Sequence, residues 1–301
     1  MKGLLNKAQE FGLPIIIVCG FSRFLRKLKV IPKKVIDDYV NWKNRYVSNW
    51  LWGKFGNDVI HQNSDELSDE GYTFVFWWQG IENAPDIVKA CIDSIRKHSV
   101  GRNFVILNSN NYSQYVSCPP QVIKKFHEGK MSIAHFSDVI RFFLLKQHGG
   151  LWIDATCLIT QDIPSSIFEY NFYSLDGAYS NDLKWKWTSW FMYAKKGDII
   201  IKNMCHFYEL YWNEFNSAVT YLFLDCWLLA LYNNVPEIKN EIELYPDCHS
   251  KCYAFIGNWS KPYSENLYNV LETSFFISKM TYKGVLPPKG GTIYGFIVKS
   301  K

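Results

Sequence analysis

Asp154 is the residue whose position most demands a chemical reason. It closes the apolar run Leu151-Trp152-Ile153 directly after Gly149-Gly150, where a carboxylate has no packing role. Either it caps the turn that follows, or it serves a ligand. One or two carboxylates completed by a diphosphate are what Mg2+ or Mn2+ prefers. Upstream, Asp138 and Arg141 stand three residues apart, on one face if the segment is helical. A carboxylate and a guanidinium so placed would grip hydroxyls and phosphate together; the plainer alternative is an ion pair within the helix. Downstream, Asp225 lies inside the apolar stretch Tyr221 to Leu229. An unpaired buried carboxylate is costly, so Asp225 is either a satisfied core residue or a candidate nucleophile. Trp77-Trp78-Gln79-Gly80 offers ring faces for a base or sugar, with a glycine that lets backbone approach. Trp185, Trp187 and Trp190 form a second aromatic group, either a platform for sugar rings or core.

These residues need elements to hold them. Thr73 to Trp78 is a continuous apolar, β-branched and aromatic run, the pattern of a strand buried on both faces. Pro85 opens a helix in which Ile87, Cys91 and Ile95 recur every fourth residue before His98. Asn103 to Asn108 reads as a second buried strand, and Pro119-Pro120 opens a short helix ending near Gly129. Ser132 caps a longer helix with the stripe Ile133, Phe136, Ile140, Phe143 and Leu144, stopped by Gly149-Gly150. Leu151 to Asp154 is again a strand. Alternating strands and helices with buried strands predict a parallel α/β sheet, in which ligands bind beyond the C-terminal strand ends. Trp77 to Gly80, Asn108 to Asn111 and Asp154-Ala155-Thr156 all fall at such ends. Further on, 171–175 and 189–194 read as strands, 198–216 and 218–233 as helices, and the last 35 residues as a loop-rich tail.

The chain has 301 residues, 48% hydrophobic and 20% charged, with 52 aromatic residues. Area scaling lets such a chain bury about three-quarters of its surface, which excludes disorder and disulfide-stapled miniproteins. Its charge is unevenly placed. Residues 1–54 hold 11 Lys/Arg against 3 Asp/Glu, while the other 247 hold 22 against 25. A nucleic-acid partner would need a basic body, and this body is mildly acidic. The N-terminal segment joins the apolar run Leu13 to Phe21 to Arg23, Arg26, Lys27, Lys29, Lys33 and Lys34, with Trp42, Trp50 and Trp52 beyond. Ten apolar residues are too few to span a bilayer, and no small-residue cleavage site precedes the basic stretch. Docking on an anionic membrane surface through residues 1–54 suits this pattern, and a helical arm packed on the body is the competing reading. The acidic stretch Gln62 to Gly71 reads as a linker. The expected division is therefore a basic helical arm over 1–70 and a catalytic domain over 71–301. The eight cysteines contain no C-x-x-C pair; Cys248, His249 and Cys252 are a weak zinc signal, and most of the others read as buried thiols in a reducing compartment.

Ser137-Asp-Val-Ile-Arg141, continued through Gly149-Gly150-Leu-Trp152-Ile-Asp154-Ala-Thr156, resembles the bacterial capsular polysaccharide synthesis glycosyltransferases. These are similar to the DxD-containing sugar transferases that include α-mannosyltransferases and clostridial glucosylating toxins. Trp77 to Gly80, the helix from Pro85 to Ser94 and the tail Lys279-Met-Thr-Tyr-Lys283 resemble the same family. The resemblance runs from about 72 to 165 and then thinly to about 285, and its central motif spans 20 contiguous residues.

The resemblance implies a GT-A-like α/β fold, a nucleotide-sugar donor such as UDP-Gal or UDP-Glc, and retention of anomeric configuration, by same-face attack or through a covalent intermediate. It implies that Trp77, Trp78 and Gln79 line the nucleotide, and that Asp138 and Arg141 hold the donor sugar and its phosphate. Lys279 and Lys283 would face the diphosphate. Asp154 would be the first Asp of DxD, contacting ribose or a metal ion, Mn2+ or Mg2+, and Thr156 replaces the second Asp as the other metal-side residue. Ser278 stands where the family carries His. The implied acceptor is a growing capsule or exopolysaccharide unit on undecaprenyl diphosphate, at the cytoplasmic face of the plasma membrane. A non-catalytic carbohydrate-binding or assembly protein is the alternative; a glycoside hydrolase would need a carboxylate pair at useful spacing.

Overall fold

The computed structural model describes residues 2–28, 30–61, 65–176, 185–246 and 249–299. The chain begins with α1 (Lys2–Phe11), α2 (Leu13–Lys27) and α3 (Lys33–Phe55). Next come β1 (Tyr72–Phe76), α4 (Asp86–His98), β2 (Asn103–Leu107), α5 (Tyr112–Tyr115) and α6 (Pro120–His127). The central stretch holds α7 (Ile133–His148), β3 (Gly150–Ile153), β4 (Cys157–Ile159), β5 (Phe172–Ser174) and β6 (Phe191–Ala194). The last part is α8 (Ile199–Glu214), α9 (Phe223–Asn234), α10 (Pro236–Glu243), α11 (Ala254–Asn258), α12 (Glu265–Ser274), β7 (Ile277–Lys279) and α13 (Ile293–Lys299).

The main sheet has the order β2-β1-β3-β6-β5. β1 is parallel to both β2 and β3, and β6 is antiparallel to β3 and to β5. Four strands therefore run one way and β6 the other, which is the mostly parallel α/β sheet that the alternation of strands and helices predicts. All four residues of β3 are buried, as their unbroken apolar run demands. β2 departs from expectation. It lies at the sheet edge, so Phe104, Val105 and Ile106 are only half-buried, and the Arg96 guanidinium lies 5.4 Å from the Phe104 ring centroid.

Ser132 caps α7 by accepting a hydrogen bond from the backbone N–H of His135 at 3.2 Å. The helix stops at Gly149, whose φ of +66° is in the left-handed region. Gly150, at φ +108°, then enters β3 so closely that a Cβ would stand 2.7 Å from the Tyr72 carbonyl oxygen. This paired glycine is what brings the end of α7 directly into the sheet. Gly150→Ala is accordingly expected to cost about 3 kcal/mol or more in chemical denaturation. A loss below 1 kcal/mol would show that the strand can shift at no cost.

α3 packs along α9 with Val47, Leu51 and Phe55 buried in the same continuous core as the sheet. Each such burial stabilises by roughly 1.5–3 kcal/mol. Trp52 stacks on Trp227 at 6.2 Å, and Trp50 lies 5.7 Å from the Phe215 ring. Trp50 and Trp52, expected with the membrane-facing residues, thus bind the arm to the body; Trp42 remains 47% exposed. The acidic stretch expected as a linker is tied down over 65–71. Ser68 and Lys196 exchange backbone hydrogen bonds, and Arg102 grips both oxygens of Asp69 at 3.0 and 3.1 Å. No helix among the described residues is long and apolar enough to cross a membrane.

The C-terminal region, expected as a loop-rich tail, holds α12, β7 and α13. β7 pairs antiparallel with β4, setting Lys279 opposite Cys157 and Ile277 opposite Ile159. Three-residue strands whose partners lie some 120 positions away leave no local signal, which is why both were missed. Cys248, part of the weak zinc signal with His249 and Cys252, lies outside the described residues.

Candidate active site

The C-terminal ends of β1 and β3 open into a cleft of about 430 Å³. One wall carries Trp77, Trp78 and Gln79, reached directly from β1; Asp138 and Arg141 project from α7, and Asp154 and Thr156 follow β3. Asp225, in the first turn of α9, lines the same cleft. The parallel strands thus deliver their ends where such sheets bind ligands. Of the residues singled out in the sequence, Trp77, Trp78, Gln79, Asp138, Arg141, Asp154, Thr156 and Asp225 line this one cleft.

Arg141 organises the cleft floor. Its Nη1 donates to Asp138 Oδ1 at 2.9 Å and its Nη2 to Asp154 Oδ1 at 3.2 Å. The pair three apart on α7 is therefore an ion pair within the helix and, at the same time, a bridge to the end of β3. The guanidinium lies 4.8 Å from the Trp152 ring centroid, and Trp152 Nε1 donates to Asp154 Oδ1 at 2.9 Å. Asp154 Oδ2 accepts from Lys279 Nζ at 2.8 Å, and the same ammonium donates to Thr156 Oγ1 at 2.8 Å. The side chain of Arg141 is 3% exposed, so its charge depends on these carboxylates.

The carboxyls are driven apart in acidity. Burial pushes Asp154 up, but the Lys279 and Arg141 cations outweigh it and hold the carboxyl below its usual range. Burial raises Asp138 against the pull of Arg141. Asp225 is pushed up to about 7 by burial and by the nearby Asp138 carboxylate, with the Trp187 N–H pulling the other way. Carboxyl groups so separated can divide the roles of fixed charge and titrating group.

Two expected contributors lie elsewhere. Lys283 is exposed beside the cleft, its ammonium 5.5 Å from the ring centroid of Tyr282, which does line it. Trp187 and Trp190 are 2% and 6% exposed, so their faces are core rather than a sugar platform. Trp187 serves the cleft from behind, donating its Nε1–H to Asp225 Oδ1 at 3.2 Å. Ser278 is buried with its hydroxyl donating to the Cys252 carbonyl, so the next position, Lys279, is the one that β7 turns toward Asp154. Trp152, whose indole N–H holds Asp154 from beneath the site, and the lining residues Ser189, Tyr221 and Tyr282 carry no site signal of their own in the sequence.

The residues present do not fit a divalent cation. Its donor set would be one carboxylate oxygen and one hydroxyl, and both already accept from the Lys279 ammonium. Among the described residues, no three His, Cys, Asp or Glu side chains come together as a metal site.

Fold and cleft together define an α/β protein that gathers acidic, cationic and aromatic groups beyond the carboxyl ends of its parallel strands. The chain belongs to the capsular polysaccharide synthesis protein family, whose model matches residues 27–295. No curated protein matches it. Among solved structures it is similar to one titled PaToxG Glycosyltransferase, at 18% identity and a TM-score of 0.36, over 69% of this chain and 87% of that one.

Proposed function

We propose that the protein is a retaining glycosyltransferase of capsule synthesis, moving a hexose from a nucleotide sugar, UDP-Gal or UDP-Glc, to a lipid-linked repeat unit. The observation that carries this reading is the convergence of Asp138, Arg141, Asp154 and Asp225 in one cleft walled by Trp77 and Trp78. The indole faces suit a nucleobase, and the Asp138–Arg141 pair suits sugar hydroxyls and phosphate. In the reaction the bond from the anomeric carbon to the diphosphate oxygen breaks, and its electron pair leaves with the diphosphate. The acceptor oxygen bonds to the same carbon, and its proton passes to the departing diphosphate. Arg141, held by two carboxylates before substrate arrives, offers a fixed positive charge to the leaving group. The Asp225 carboxylate, in the same cleft, would steady the cationic sugar.

A panel of UDP- and GDP-sugars, followed by mass spectrometry for released nucleoside diphosphate, tests the reading. Turnover of one donor is the expected result. A folded protein that binds donors and releases nothing would be a carbohydrate-binding or assembly protein instead.

The same reading places the protein on the cytoplasmic face of the plasma membrane. On α2, Leu13, Ile17, Phe21 and Phe24 are 64%, 66%, 44% and 54% exposed, at helical spacing along one face. The opposite face, with Ile15, Ile16 and Cys19, is buried on the body. An outward apolar stripe within a chain segment of net positive charge supports attachment to an anionic bilayer. Deleting the arm would strip α3 from the core, so substitutions are the better test. Ile17→Asp combined with Phe24→Asp is expected to lower cosedimentation with phosphatidylglycerol vesicles by about tenfold or more. Unchanged partitioning of a folded double variant would remove the stripe from membrane binding.

A further inference from the structure

We propose that the Lys279 ammonium is the resident cation of the cleft, standing where a divalent ion would join protein to diphosphate, so that nucleoside diphosphate binds without metal. The inference rests on the glycosyltransferase reading above and deepens it. Asp154 and Thr156 are the two side chains that would hold an ion, and both accept from Lys279 Nζ at 2.8 Å. Mg2+ binds oxygen at about 2.1 Å, so an ion at that pair would have to expel the ammonium from between the same two oxygens. The other oxygen of Asp154 is engaged as well, by Arg141 and by Trp152.

Topology, rather than a flexible reach, sets Lys279 there. β7 is locked to β4 with Lys279 opposite Cys157, and the N–H of Met280 donates to the Thr156 carbonyl at 2.8 Å. Backbone on both sides of the lysine is therefore fixed to the segment that carries Asp154 and Thr156. The Trp190 ring, 5.5 Å from the ammonium, closes one flank. Thr156 also fits this arrangement chemically. A hydroxyl beside a single carboxylate balances one ammonium, whereas two carboxylates at that spacing would call for a doubly charged ion. Two N–H groups of Lys279 are given to Asp154 and Thr156, and the third is left for a phosphate oxygen. As the anomeric bond breaks and its electrons move to the diphosphate, the ammonium keeps all its protons and acts as fixed positive charge.

The test is calorimetric titration of UDP and GDP into the full chain, in EDTA and again in Mn2+, beside donor turnover in the same two media. Affinity and turnover are expected to agree within about twofold between the media, and Lys279→Gln to weaken the diphosphate about tenfold or more while uridine or guanosine binding stays unchanged. Lys279→Arg should recover part of that loss. Should Lys279→Gln fail to fold, the comparison of media on the unaltered protein decides alone. Nucleoside diphosphate binding only in Mn2+, or turnover at least tenfold higher there, would overturn the inference and leave the transferase reading standing. Absence of UDP and GDP binding in both media would overturn the transferase reading, and this inference with it.

Discussion

Asp154→Asn is expected to lower donor turnover by about a thousandfold or more and to lower thermal stability as well. Asp154 is surrounded by donors alone: Arg141 Nη2 and Trp152 Nε1 on one oxygen, Lys279 Nζ on the other. An asparagine must turn its own NH2 toward one of them, so one hydrogen bond becomes a clash of donors. It also leaves the buried Arg141 and the part-buried Lys279 short of a countercharge. Breaking a buried pair by removing one partner costs about 3–5 kcal/mol. At about 2–4 °C per kcal/mol for large domains, the midpoint should fall by about 6 °C or more. Asp154→Glu keeps the charge and should recover most of the stability, but its extra methylene misplaces the oxygens, and turnover stays low. Calorimetric scans beside donor hydrolysis check both variants. Asparagine at 154 with unaltered turnover would remove this carboxylate from the reaction.

Asp225→Asn should move activity and stability in opposite directions. Its carboxyl titrates at about 7 in the folded protein, raised by burial and the Asp138 charge and opposed by the Trp187 N–H and Arg141. Because the folded value lies above the unfolded one, the stability tied to this group is full below about pH 4 and is lost as pH rises through 7. Asparagine keeps an oxygen for Trp187 and carries no charge to bury, so the variant gains on the wild type from pH 4 upward. A midpoint several degrees above wild type is expected at pH 8, and little difference at pH 4. Turnover, which calls on the carboxylate form, should rise through pH 7 in the wild type and fall about a hundredfold or more in the variant. A flat profile between pH 6 and 8 would show that the reaction does not use the Asp225 carboxylate.

Local patterns reached much of the scaffold. The unbroken apolar runs of β1 and β3, Ser132 as a cap and Gly149-Gly150 as a stop are signals carried by a few neighbouring residues, and each marks its element. Asp138, Arg141 and Asp154 stood out because charge interrupts apolar periodicity there. What stayed hidden depends on partners far along the chain. β2 has the same composition as a doubly buried strand, and only its edge position exposes it. Trp187 reads in the sequence equally as part of a sugar platform or as core, and only its packing on α9, against Asp225 and Tyr232, decides for core. Lys279 looked like one cation among several; its contact with Asp154 exists only because β7 returns to β4 across some 120 residues.

The reversed strand β6 has a consequence for how this cleft can diversify. Because β6 runs against β3, its starting end abuts the finishing end of β3, with Phe191 opposite Ile153. The chain therefore supplies the cleft in separate instalments: first from residues 76 to 156, next from Ser189 and the Tyr221 to Asp225 turn, and last from Tyr282. The first instalment holds the Arg141 cluster and the indoles; the second holds Asp225 and little other charge. Recognition surfaces supplied by separate stretches of chain can thus change one at a time within one gene.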